Sequence, residues 1–341
     1  MKRIRIVFFA DTHLGFDDPV KPRVQRRRRG PDFFPNFRAV LDYARQTRPD
    51  ILIHGGDLFF RARVPQKIVD MVYADLYDFA GEGIPLIIVP GNHERSILPV
   101  SLFLSHPNIY VFVKPRTFKF DFDGVRVGLF GFPCERKNVQ DKFPALLDAC
   151  GWKQHNIDIR LLCMHQTVEG AQVGPSNYTF RFGKDVIQQR NLPKDSTAVL
   201  SGHIHRKQVL GGSENPNADI PPVIYPGSTE RTSFAERDES KGFFEIDFSQ
   251  EDRGKWEIER LEFIELPARP MEDLILDGKV TSENLGDFIQ NEVAGMPPDA
   301  IVRLRCDQDT SPEVKAKVTS KLLREILPES MNYQFSADFR Q

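Results

Sequence analysis

The stretch ILIHGGDLFFR, Ile51 to Arg61, decides how the rest of the chain is read. Ile51, Leu52 and Ile53 form a short apolar run of the kind carried by a strand covered on both faces. Gly55 and Gly56 follow and let the backbone turn tightly. A single carboxylate, Asp57, then stands before the bulky Leu58, Phe59 and Phe60. A buried charge in such company is very costly unless a partner of opposite charge meets it.

The same arrangement recurs on either side. Residues 4–10 read as a buried strand ending in Asp11 and His13. Residues 84–89 lead into Gly91, Asn92 and His93. Residues 158–164 end at His165, and 198–201 enter Gly202-His203-Ile204-His205. Helical periodicity over 33–47, and over 66–80 after Pro65, separates the first three strands. This β-α-β-α-β rhythm predicts parallel strands with right-handed crossovers. Ligand sites of open α/β sheets lie outside the carboxyl ends of the strands. Five of the eight histidines fall at those ends. Singly, a strand-end histidine reads as a hydrogen-bonded core residue and a strand-end aspartate as a cap. Together they read as a metal site.

Spacing gives these ends a local logic. In extended chain, residues two apart point the same way, so Asp11 with His13, and His203 with His205, can each face one site. Asn92 and His93 are adjacent and should diverge. Imidazole, carboxylate and amide oxygen without thiolate suit Mn, Fe or Zn. The candidates Asp11, His13, Asp57, Asn92, His165, His203 and His205 are too many for one ion, and suit two ions sharing a carboxylate.

The remaining chain is β-rich. Residues 117–122 and 125–130 form a hairpin at Asp123-Gly124, and further strands are read at 223–226, 242–248 and 256–265. After Pro267-Ala268-Arg269-Pro270 the character changes to a helix at 282–292, a strand at 300–306 and one helix over 312–327. Bulk composition fits a globular protein: 341 residues, 40% hydrophobic and 28% charged. The net charge of −2 points to no polyanion globally, so basic clusters must be read locally. The scattered cysteines, Cys134, Cys150, Cys163 and Cys306, read as free thiols in a reducing compartment. No apolar run nears the roughly 20 residues a membrane span needs, so a cytoplasmic location without membrane contact is expected.

The ordered set DTH, GGD, GNHE, H and GHIH resembles the calcineurin-like metallophosphoesterase superfamily. Within it, DTHLGF, GGDLF, VPGNHE, SGHIH and YPGSTERTSF are similar to the SbcD-type nuclease subunits of DNA double-strand-break repair complexes. The resemblance implies a four-layer α-β-β-α sandwich over 1–265 and a small α+β, DNA-facing cap over 266–341. It implies a first metal on Asp11, His13, Asp57 and His205, and a second on Asp57, Asn92, His165 and His203. Asp57 would bridge, and His93 would be the catalytic histidine. Mn2+ is the expected ion, with Fe, Zn or Mg as alternatives. Two dications against two ligating carboxylates leave a cationic site that attracts a phosphodiester and acidifies a water nucleophile.

The implied reaction is hydrolysis of DNA as an exonuclease, a single-strand endonuclease, or both. Local basicity agrees: Arg26, Arg27, Arg28 and Arg29 follow the first motif, and Arg61 and Arg63 follow the second, as phosphate contacts would. A solvated or salt-bridged basic loop reads the same. Competing functions are a diesterase for small substrates and a DNA-end-binding scaffold with weak nuclease activity. Implied partners are a second copy, with residues 97–105 or the helix after Pro65 as candidate apolar surface, and an SMC-like ABC ATPase. Chain end Gln341 follows the cap-like region directly, and no helical extension for docking that ATPase is legible. One departure stands out. Three residues after the bridging aspartate the family often has a phosphate-orienting histidine, where this chain has Phe60. Weakened 3′ exonuclease with retained endonuclease or diesterase activity is the expectation.

Overall fold

The computed structural model describes residues 2–16, 29–99, 105–153, 156–212, 220–250 and 254–335. Two compact units emerge. Of the described residues, one unit joins 2–16 to Gly30–Ala268, and the other takes Arg29 and the chain from Arg269 onward.

The larger unit is built on two six-stranded sheets. In the first, Trp256–Leu266, Lys241–Gln250, Arg3–Phe9, Ile51–His54, Leu86–Ile88 and Ile109–Val111 lie side by side. The four strands from Arg3–Phe9 onward are mutually parallel, as the alternation with helices Phe33–Thr47 and Gln66–Ala80 requires. In the second, the order is Gln208–Leu210, Val223–Tyr225, Ala198–Ser201, Ile159–Met164, Val125–Gly131 and Arg116–Phe122. Its middle four strands are parallel. The hairpin turns at Asp123-Gly124, both at positive φ (51° and 82°), which suits a two-residue turn with the twist of the sheet.

Strand parity sorts side chains into layers. Ile4, Ile6 and Phe8 face Leu129, Leu161 and Leu200 between the sheets. Val7 and Phe9 face the other way, onto Phe37, Val40 and Leu76 of the two helices. On the far side, Phe130, Leu162 and Val199 meet Val139 and Phe143 of helix Val139–Ala149. The result is a four-layer α-β-β-α sandwich.

The smaller unit has its own core, with Leu274, Leu304, Ile289 and Leu323 fully or nearly fully buried. Its sheet is three-stranded and parallel, in the order Met271–Leu276, Ile301–Cys306, Asn332–Phe335. The single helix expected over 312–327 is two helices, Pro312–Lys317 and Ser320–Ile326. Thr319 takes an extended conformation, and its side chain accepts the Leu322 N–H, capping a new start. Arg303 is committed to a two-point pairing with Asp273, at 2.6 and 2.8 Å. The cysteines of the chain are free. Among the described residues no helix is long and apolar enough to cross a membrane.

Candidate metal centre

Parallel strands deliver their carboxyl ends to one edge of the sandwich. The loops after Arg3–Phe9 and Ile51–His54 run there as a paired ribbon. Gly55 donates to Phe9 O, Asp11 to Gly56 O, His13 to Asp57 O and Leu14 to Leu58 O, all at 2.8–3.0 Å. Asp11 and Asp57 are thus held side by side, each almost wholly buried. The extended geometry expected for the first and last motifs is not what aims them. Asp11, His13, Asp57 and His203 all have positive φ (53°, 45°, 53° and 84°), the left-handed region that residues with a Cβ enter rarely. Their side chains still converge, because the turn at each residue replaces the alternation of a strand.

Close approach explains two glycines. A Cβ on Gly91 would stand 2.1 Å from Asp57 Oδ1, and one on Gly56 the same distance from His165 Nδ1. Only a bare backbone fits at either place.

Donor atoms gather in three overlapping triads, Asp11/His13/His205, His13/Asp57/His93 and Asp11/Asp57/His165, each within 4.8 Å. Asn92 Oδ1 completes the group, 3.0 Å from His165 Nε2 and 2.8 Å from His203 Nδ1. His203 also donates its backbone N–H to the Asp11 carboxylate. As expected for neighbours, Asn92 and His93 diverge. The His93 backbone N–H donates to Asp57 Oδ1 at 2.9 Å, and its ring turns toward Phe60.

Outer contacts fix which nitrogen faces inward. His165 Nδ1–H donates to Gly55 O at 2.9 Å, and His205 Nδ1 pairs with Glu236 Oε1 at 3.0 Å. His165 Nε2 therefore meets Asn92 Oδ1 and, at 3.3 Å, Asp57 Oδ2. Those oxygens tolerate it only as an imidazolium or with a cation between them. Similarly, His13 Nε2 and His205 Nε2 face each other at 2.9 Å, and buried His13 Nδ1 has no hydrogen-bond partner. The donor set fits divalent cations on these grounds.

Electrostatics tell the same story. Burial disfavours charge on both Asp57 and His165, but their mutual attraction prevails, holding the carboxylate down and raising the imidazole to about 9. Burial raises Asp11 to about 6. His13 is pushed well below the usual imidazole range by burial and by neighbouring His205, so its lone pair is available.

Sequence reading missed the supporting layer. Buried Glu94 accepts the N–H groups of Phe59 (2.7 Å) and Gly91 (2.8 Å), clamping the second loop to the third. Buried Glu236 joins His205 to Lys241 Nζ at 2.6 Å, and Lys241 donates onward to His205 O. His54 accepts Gly56 N–H at Nδ1 (3.2 Å), which leaves Nε2–H to donate to Thr12 Oγ1 (3.0 Å). Thr12 in turn donates to Leu58 O at 3.1 Å. Only the acidic residue closing GNHE and the acids after YPGSTERTSF hinted at such roles.

The basic candidates divide. Arg61 and Arg63 are exposed beside the second loop. Arg29 is buried at 1% exposure, so it does not stand on the surface as a member of a solvated basic run would. Arg26, Arg27 and Arg28 lie outside the described residues, as does most of the candidate interface at 97–105.

Known proteins give a consistent comparison. The DNA double-strand break repair protein Mre11 of Methanopyrus kandleri is 25% identical over 303 residues, covering 83% of this chain and 61% of that protein. Its namesake in Methanocaldococcus jannaschii is 27% identical over 278 residues, covering 76% of this chain and 68% of that protein. The chain thus spans less than two thirds of the Methanopyrus relative. A Staphylococcus aureus crystal structure described as a candidate 5′-nucleotidase shares the fold, with a TM-score of 0.50 at 17% identity over 85% of this chain and 58% of that one. The family model for calcineurin-like phosphoesterases matches residues 4–207. Because that match runs from the first strand through the last of the clustered histidines, the chain belongs to the calcineurin-like phosphoesterase family.

Proposed function

We propose that this protein is a two-metal phosphodiesterase acting on DNA, with exonuclease and/or single-strand endonuclease activity in double-strand-break repair. The observation that carries this reading is the convergence of inward-facing donors on buried Asp57, with the outer nitrogens of His165 and His205 already spoken for. Asp11, His13, Asp57 and His205 would hold one ion, and Asp57, Asn92, His165 and His203 the other. Mn2+ is the ion we favour. Bound divalent ions supply Lewis acidity toward a phosphoryl oxygen and a water nucleophile.

The chain's own groups do the rest. His93 keeps its Nδ1–H on Phe60 O, leaving Nε2 toward the site to hold or deliver a proton at the leaving oxygen. Phe60 packs its ring 5.4 Å from that of His93 and offers no polar atom to a phosphate. Exposed Arg61 and Arg63 would meet the backbone of a polyanion.

The named relatives support DNA as substrate. The unit from Arg269 onward would act as a DNA-facing cap. A second copy and an SMC-like ABC ATPase are the proposed protein partners, in the cytoplasm. The test is hydrolysis of bis-p-nitrophenyl phosphate and of free-ended and end-blocked DNA in Mn2+. Asp57→Asn should abolish both activities. Turnover that survives that change, or that persists in chelator, sinks the reading.

A further inference from the structure

The segment between His165 and Ala198–Ser201 contains a small hairpin, Gln172–Val173 paired with Tyr178–Thr179, that none of the metal chemistry uses. It is fastened to the chain just after His205. Arg206, next to His205, donates to Gly174 O and Asn177 Oδ1, both at 2.8 Å. Gln208 accepts the Gln172 N–H at 2.8 Å and returns a bond to Gln172 O at 3.0 Å. Glu239 holds the Arg206 guanidinium from the other side at 2.9 Å. The hairpin is therefore registered to the loop that carries His203 and His205.

The hairpin and the residues just after it present open aromatic rings. Phe180 packs against the outer core of the second sheet, while Phe182 is 82% exposed and Tyr178 is 59% exposed. Rings this open leave their faces free to take up a flat partner. Exposed Arg181 and Lys184 flank Phe182. The nearby carboxylate of Asp185 is engaged in accepting the Asn138 N–H at 2.6 Å. Open aromatic faces interleaved with cations are the chemistry that binds unpaired bases: rings stack on any base, and the cations meet the phosphates between them.

We propose that Tyr178 and Phe182 form a stacking platform for unpaired bases of single-stranded DNA, with Arg181 and Lys184 contacting its backbone. The proposal rests on DNA being the substrate, and it adds which form of DNA the enzyme holds. A duplex hides its base faces and gains little from such a platform. Charge complementarity selects this occupant over a second copy of a chain whose net charge is only −2.

The test uses the full chain in chelator, with oligonucleotides carrying 2-aminopurine either unpaired or within a duplex. The unpaired probe should be quenched on binding. The double variant Tyr178→Ala/Phe182→Ala should lose the quench and bind the single strand at least about 30-fold more weakly. Tyr178→Trp/Phe182→Trp should retain both. Duplex affinity, and hydrolysis of bis-p-nitrophenyl phosphate in Mn2+, should stay at the parental level. Parental quench and affinity in the double variant overturn the platform alone, as does equal loss with duplex. A dimer that the double variant splits in sedimentation assigns the surface to a second copy and also overturns it. A parent that hydrolyses the small diester yet binds no DNA overturns the substrate reading itself.

Discussion

His93 Nδ1 lies 2.6 Å from the carbonyl oxygen of Phe60. A carbonyl only accepts, so the proton sits on Nδ1 and Nε2 is left toward Asp57 Oδ2, 3.9 Å away. The residue that departs from the family pattern thus orients the catalytic candidate through its backbone, which any side chain at position 60 would retain.

Two substitutions separate these contributions. His93→Gln should lower kcat on DNA and on bis-p-nitrophenyl phosphate by about 10²–10⁴-fold while leaving bound metal unchanged, as read by elemental analysis. Phe60→His keeps the carbonyl and adds a donor beside the phosphate. It should raise 3′ exonuclease rate with little change on the small diester; an unchanged exonuclease rate would refute the role given to this position.

Glu94 is predicted to matter for stability more than its sequence position suggests. Glu94→Ala leaves the Phe59 and Gly91 N–H groups buried and unpaired, at a cost of roughly 1–3 kcal/mol each. Thermal and denaturant unfolding should show the loss. A parental midpoint would mean that water or a shifted loop satisfies both donors.

Metal uptake should release a proton. In the metal-free protein His165 is raised to about 9, against burial, by the Asp57 carboxylate. A cation must displace that proton, so metal affinity rises with pH up to about 9, roughly tenfold per unit for one proton. Calorimetric titration of Mn2+ at pH 7 in buffers of different ionisation enthalpy checks this. Identical heats would show no coupled proton.

Acid sensitivity should trace in part to His54. Burial, and secondarily the charge of His165, lower it to about 3, below the unfolded value of about 6.5. Between those values the unfolded chain binds a proton that the folded one refuses. Stability from this group is therefore complete above the unfolded value and declines as pH falls toward 3. On moving from pH 7 to 5 in chelator, the parent should lose about 1–2 kcal/mol more than His54→Gln. Parallel losses in the two proteins would assign the lability elsewhere.

Much of this architecture is legible in the sequence. Helices Phe33–Thr47 and Gln66–Ala80 declare themselves by periodicity, and Ile51–His54 by its apolar run. Helix Val139–Ala149 does not, because Pro144 interrupts it. Strands Met271–Leu276 and Asn332–Phe335 of the smaller unit are short and gain their definition from parallel pairing with Ile301–Cys306. Strand ends announce the inner donors, since a polar residue there has one edge to serve. Glu94 and Glu236 are only hinted at by their motifs and His54 is silent, because each takes its role from a loop brought to it by folding. Backbone conformation was silent too: nothing in Asp11 or His13 as residue types announces a positive φ.

That last feature limits how the site can be moved. Side chains leave a left-handed residue in a direction no regular strand end offers, and each such residue carries about 1–3 kcal/mol of conformational strain. Copying the donors onto another parallel sheet would scatter them. A working transplant must carry the looped backbone, the bare Gly56 and Gly91 that make room for it, and the buried carboxylate of Glu94 that holds it closed.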